Sequence, residues 1–199
     1  MPAADAITED EQVYRASAYS LLAALLRAPP DRTLLEHVAQ LSQGSDAESD
    51  ELLEAMQQLS ASAAKSSLEQ IDDEYHALFI GIGRGELVPY GSWYLTGFLM
   101  EQPLSDLRDD LRALGFERSP DTHEPEDHIS AIFEVFSVMI ADETSLELQQ
   151  QFFDKHMNSW LDRFFGDLEK ARSAKFYQPV ARFGAAFIEL EKAYLSMRS

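Results

Sequence analysis

The chain has no cysteine. That excludes disulfides, thiolate catalysis and Cys-based zinc or iron–sulfur sites. Glycine and proline are scarce, 9 and 8 of 199 residues, and they cluster, which leaves room for long helices. Basic residues are outnumbered, 16 against 35 acidic, for a formal net charge of -19. So acidic a surface repels phosphates, which argues against nucleic-acid binding and against docking on an anionic membrane. It suits a basic partner, although solubility alone would also account for it. The longest uncharged stretch, Leu87 to Met100, holds Pro89, Gly91 and Gly97 and is too short to span a bilayer. The opening residues, MPAADAITEDEQ, carry four acids and no base, unlike a secretory leader. The protein is therefore expected to stay in the cytoplasm, with no stable membrane insertion.

Common enzyme signatures are missing as well. No GxxxxGK[ST] phosphate loop is present. Glycines 81, 83 and 85 miss the dinucleotide spacing and read as a helix stop. A di-iron bundle would need paired Glu-x-x-His motifs, and the chain has a single Asp-x-x-His, at Asp73 and His76. Ser62-x-x-Lys65 matches a nucleophile pattern but sits in an Ala/Ser-rich helix with no supporting motif. The five histidines form no known ligand spacing. Neither a metal nor a cofactor is expected.

What is present is a large apolar content, 45%, with 12 Phe, 7 Tyr and 2 Trp to fill a core. The length suits one domain over residues 1–199. Periodicity predicts an all-α fold, a compact bundle of roughly eight to ten helices. The first helix runs from about Thr8, a capping-box residue with Glu11, to Arg27, with Tyr14, Ala18, Leu21, Leu22 and Leu25 as its apolar stripe. Ser42 to Asp46 reads as a loop. A helix over about 67–79 buries Leu68, Ile71, Tyr75, Leu78 and Phe79, and another opens at Pro103 and ends near Gly115. The next starts at Glu124-Pro125-Glu126-Asp127-His128, with Pro125 and the acids as first-turn residues. The last, from about Ala174, carries Phe176, Val180, Phe183, Phe187, Leu190 and Tyr194 inward.

Two constellations stand out. Tyr75, Leu78 and Phe79 share a helix face that leads into the aromatic, proline-containing segment Pro89-Tyr90-Gly91-Ser92. A core stripe explains the first part; a loop this apolar is either buried or binds something. The second constellation is Glu124 to His128, where helix-start chemistry accounts for the acids but not for His128. His128 is either a core histidine or a polar anchor beside a groove, with Asp127 accepting from a cationic ligand.

These residues resemble the TorD/DmsD family of chaperones for molybdenum-containing oxidoreductases. The resemblance rests on the aromatic-x-x-Leu-Phe motif at Tyr75–Phe79, the Pro-aromatic-Gly-Ser segment at Pro89–Ser92, the Pro-Leu-x-x-Leu-Arg stretch at Pro103–Arg108, and Glu-Pro-x-Asp-His at Glu124–His128. It implies a non-enzymatic chaperone that binds the twin-arginine leader and apo form of a molybdoenzyme until its cofactor is inserted. It implies leader contacts at Tyr75, Leu78, Phe79, Pro89, Tyr90, Asp127 and His128, supported by Glu124, Pro125, Gly91 and Ser92. Relatives occur as monomers and domain-swapped dimers, with 115–124 as a candidate hinge. Some carry Trp where this chain has Tyr75 and Tyr90. Two alternatives stand beside this reading: a nucleotide hydrolase with Asp127 and His128 as acid and base, and an assembly factor that binds only the mature client.

Overall fold

A computed structural model describes residues 9–41, 51–81, 85–118 and 124–197. Ten α-helices occur among them: α1 (Glu9–Arg27), α2 (Arg32–Val38), α3 (Glu51–Ala63), α4 (Leu68–Tyr75), α5 (Gly91–Thr96), α6 (Gln102–Ala113), α7 (Ile129–Ala141), α8 (Leu146–His156), α9 (Leu161–Lys170) and α10 (Tyr177–Met197). The all-α expectation is met, with no strand among the described residues. No described helix is long and apolar enough to cross a membrane. The Thr8 cap, the loop at 42–46 and residues 119–123 of the candidate hinge lie outside the described residues.

Local chemistry places the helix ends. Asp31 caps α2 by accepting the Leu34 amide at 2.8 Å. Ser67 opens α4 with a capping box, its hydroxyl accepting from Gln70 N–H while the Gln70 amide oxygen accepts from Ser67 N–H. Helix α4 continues into one π-helical turn, His76–Ile80, and stops at Gly81, whose φ of 60° suits glycine. The returning chain packs so tightly on that turn that a Cβ on Gly85 would lie 2.4 Å from the Leu78 carbonyl oxygen. There Leu87 N–H donates to Leu78 C=O at 2.8 Å.

One apolar cluster takes side chains from every helix. Helix α1 lies along α7, and α10 packs on α9 and α3. Rings dominate the centre: Tyr19 meets Phe133, Phe136 and Phe187 edge-on at 4.8–5.4 Å between centroids.

In two helices the buried face is turned relative to the periodicity. Tyr14 is 76% exposed and Leu190 49%, whereas Arg15 and Glu191, their immediate neighbours, are 6% and 1% exposed. Ala18 and Leu21 are half-buried. The cause is an ion pair: Arg15 Nε and Nη2 donate to the two Glu191 carboxylate oxygens at 2.6 and 2.9 Å. Gln149 takes a further guanidinium donor at 2.9 Å. Once both charges are satisfied, the pair can occupy the interior, and apolar Tyr14 and Leu190 face outward.

A second buried acid is spent on the backbone. Glu74 accepts from the amides of Lys175, Phe176 and Tyr177 at 2.7–3.1 Å. It thereby caps the start of α10, and α10 begins at Tyr177 rather than at Ala174.

Candidate functional site

The segment Leu87–Ser92 and the segment Glu124–Ser130 are 30 or more residues apart in sequence and lie side by side. Their backbones form an isolated antiparallel bridge between Tyr90 and His128. Gly91 N–H donates to Asp127 C=O, and Ile129 N–H donates to Pro89 C=O, each at 2.9 Å. This clasp holds the aromatic connector against the start of α7.

Side chains lock it. Asp127 is 2% exposed, and its Oδ2 accepts from both the Ser92 amide, at 2.9 Å, and the Ser92 hydroxyl. Its other oxygen, Oδ1, is buried without a partner. His128, 7% exposed, caps α7: its Nδ1 accepts from Ser130 N–H at 3.2 Å and lies 2.7 Å from the Ser130 hydroxyl. Accepting at Nδ1 places the proton of the neutral ring on Nε2. Burial drives the imidazole down to about pKa 4, against the upward pull of Glu124 and Asp127. His128 is thus a neutral cap at neutral pH. Pro125 lies not in the first turn of α7 but in the turn before it, where its carbonyl accepts His128 N–H at 3.1 Å. The helix starts at Ile129 because His128, not an acid, supplies the cap.

Tyr90 joins this clasp to the surface. Its ring meets the His128 imidazole edge-on at 5.0 Å, and its hydroxyl donates to the Glu124 carboxylate. Burial raises the Tyr90 phenol, and the Glu124 hydrogen bond and charge add to that. Tyr75 lies near enough that Glu124 adds to the burial that pushes its phenol up to about 12. The Tyr75 hydroxyl donates to Arg27 C=O at 2.7 Å, at the C-terminus of α1.

The helix motif is placed differently from the loop motif. Leu78 is fully buried and Tyr75 is 6% exposed. Half-buried Phe79 packs on Tyr75 and Tyr177 at 5.0 and 5.5 Å. Pro89, Gly91 and Ser92 are buried, Pro125 and Tyr90 half-buried, and Glu124 exposed. The structure thus brings Tyr90, Ser92, Glu124, Asp127 and His128 into one clasp. Tyr75, Leu78 and Phe79 form core beneath it.

Beside the clasp, Glu124 borders a cleft of about 580 Å³ between α6 and α7. Leu111, Phe116, Ala131 and Val135 supply its apolar lining. Its bases are mostly engaged: Arg108 donates to Glu126 at 2.7–2.9 Å, and Arg118 lies 3.9 Å from Glu126 while donating to Glu124 C=O. Burial opposes ionisation of Glu126 most strongly, but the Arg108 hydrogen bond, a backbone hydrogen bond and the charges of Arg108 and Arg118 together hold the carboxyl below its ordinary value. Arg112 pairs with Asp109 at 2.6 Å. The cleft therefore combines an apolar lining with a carboxylate edge at Glu124, Glu117 and Glu134. Glu134 is shared with Arg27 at 2.8 Å. Among the described residues no group of three or more His, Asp or Glu could hold a metal ion.

Residue-by-residue reading missed two parts of this arrangement: Ser130, the partner of His128, and Glu126, which orders Arg108 and Arg118. It expected the groove against the aromatic connector, whereas this cleft lies between α6 and α7 and only Glu124 of the expected residues lines it. Ser130 had a readable signal, a hydroxyl two positions past a helix start. The position of the cleft had none, because it depends on how the consecutive helices α6 and α7 pack.

Comparisons with known proteins agree with this architecture. A family model described as nitrate reductase delta subunit matches residues 39–166. The chaperone protein TorD of Vibrio atlanticus is 25% identical over 159 residues, covering 74% of this chain and 73% of that protein. A protein of Haemophilus influenzae assigned as the Tat proofreading chaperone DmsD is 30% identical over 127 residues, 62% of this chain and 61% of its own length. The fold resembles the crystal structure of a chain from Archaeoglobus fulgidus assigned as a redox enzyme maturation protein. The TM-score is 0.61 at 18% identity, over 95% of this chain and 99% of the other. The chain belongs to the nitrate reductase delta subunit family, which includes the TorD and DmsD chaperones.

Proposed function

We propose that this protein is a cytoplasmic, non-enzymatic chaperone that binds the twin-arginine leader of an apo-molybdoenzyme and holds the client until its cofactor is inserted. The single observation that carries the reading is the clasp: Tyr90, Glu124, Asp127 and His128, joined across two distant segments, beside an apolar cleft with a carboxylate edge. A leader of this kind has two arginines followed by apolar residues, and the carboxylate edge of the cleft complements the arginines. Glu124 is the exposed carboxylate offered to a guanidinium. Asp127 and His128 fix the geometry of the edge, and Tyr75, Leu78, Phe79 and Pro89 support it from below. Asp127 and His128 direct their polar atoms at Ser92 and Ser130 rather than at each other, which favours this role over acid–base chemistry.

Calorimetric titration with a synthetic twin-arginine leader tests the proposal. Saturable binding at micromolar or lower Kd, lost when both arginines become glutamine, is the expected result. Binding only to a leaderless client would replace it with recognition of the mature protein.

A further inference from the structure

The connector divides in two. Its first half, Leu87 to Tyr94, is largely buried, and its second half is not: Leu95, Phe98, Leu99 and Met100 are 41%, 67%, 47% and 73% exposed. Four exposed apolar side chains within six residues make a patch rather than scatter.

The turn that carries them is built rather than loose. The Thr96 hydroxyl donates to Ser92 C=O at 2.9 Å and accepts Phe98 N–H at 3.2 Å. Gly97 adopts φ 83° and closes α5, and Met100, a non-glycine residue, is held at φ 60°. Such a conformation presents the side chains outward at little further entropic cost to a ligand.

The same turn is tied to the clasp. Ser92, whose carbonyl anchors Thr96, is the residue that holds Asp127. A cavity of about 150 Å³ borders both, lined by Ser92, Asp127 and Leu95 and by Lys155 and His156, two bases that Asp110 engages at 2.6 Å. The buried, unpartnered Asp127 oxygen belongs to that lining residue. Helix α5 puts the turn roughly 9 Å from the clasp, a span of about three extended residues.

Charge selects the occupant. Between Gly85 and Leu107 the chain has Glu86, Glu101 and Asp106 and no Lys, Arg or His. With a net charge of -19, a second copy of this chain is repelled, whereas a segment that is apolar and begins with cations is attracted.

We propose that the Leu95–Met100 turn receives the apolar segment that directly follows the two arginines of the client leader, so that clasp and turn read the leader's two halves separately. This rests on the leader-binding reading above. The test compares the wild type with the double variant Phe98→Ser, Met100→Ser in the full-length chain. Two peptides are used: an intact leader, and one with its apolar segment replaced by serine and asparagine. Both substituted residues are exposed, so thermal unfolding should be unchanged. The double variant should bind the intact leader on the order of tenfold more weakly and bind the replaced peptide as the wild type does. Equal affinity of both proteins for the intact leader overturns the role of the turn and leaves leader binding standing. No binding of the intact leader by the wild type overturns both. A self-association of the wild type in sedimentation that the double variant loses assigns the turn to a second copy and likewise overturns the proposal.

Discussion

Two aromatic regions carry similar sequence signatures and meet opposite ends. The stripe Tyr75–Phe79 is absorbed: Leu78 is fully buried and Tyr75 spends its hydroxyl on Arg27 C=O. The connector Pro89–Met100 is absorbed only in part, leaving Tyr90 bonded to an exposed carboxylate and four apolar side chains in solvent. The difference comes from backbone pairing. A helix satisfies its own amides and can bury its whole apolar face. An irregular connector must borrow partners, here Asp127 C=O for the Gly91 amide and the Ile129 amide for Pro89 C=O, and that pairing brings the exposed Glu124 carboxylate to Tyr90.

The comparison can be broken most forcefully from the buried side. Leu78→Ala should cost about 3 kcal/mol in urea unfolding by opening a cavity. Glu74→Ala should cost a similar amount by stranding three amides at the start of α10, two of them buried. In both variants the folded fraction should keep its leader affinity. A large affinity loss without destabilisation would move the stripe into the binding surface.

Asp127→Ala should destabilise by about 2 kcal/mol, because the Ser92 amide and hydroxyl lose their acceptor. It should weaken leader binding as well, since the clasp frames the cleft. Asp127→Asn, which keeps an acceptor oxygen, should recover much of the stability in the same denaturation assay.

His128 sharpens the comparison through pH. Its folded value, about 4, lies below the ordinary 6.5, so the unfolded chain holds more protons in between. Stability should therefore fall as pH drops through that window, by about 2 kcal/mol between pH 6.5 and 5. His128→Asn retains a capping oxygen without titrating. Its unfolding midpoint should depend less on pH over this range, and an unchanged dependence would remove His128 as the cause.

The smallest effect belongs to Tyr90→Phe. Removing one hydroxyl should change stability by less than about 1 kcal/mol. It should shift leader affinity a few-fold, by releasing Glu124 from its held position.

Much of this was legible in the sequence, for physical reasons that differ by element. The α4 start was readable because Ser67 and Gln70 form a capping box at fixed spacing. The stop at Gly81 was readable because a φ of 60° favours glycine. The faces of α1 and α10 were misread at Tyr14 and Leu190, since periodicity counts Arg15 and Glu191 as outward residues and cannot see that they neutralise each other across the core. The clasp was half-readable. Its two motifs were conspicuous, but the hydrogen bonds that join them depend on tertiary pairing. Placing α7 one turn early had the same origin: acids and a proline describe a helix start, whereas the cap is a neutral histidine.

The most direct test of the central claim is a double-mutant cycle between Glu124→Gln in the protein and arginine→glutamine in a twin-arginine leader, read by calorimetry. If Glu124 receives an arginine, each single change weakens binding and the double change is little worse than either, giving a coupling energy of about 1 kcal/mol or more. Additive losses, or no loss with Glu124→Gln, would contradict it.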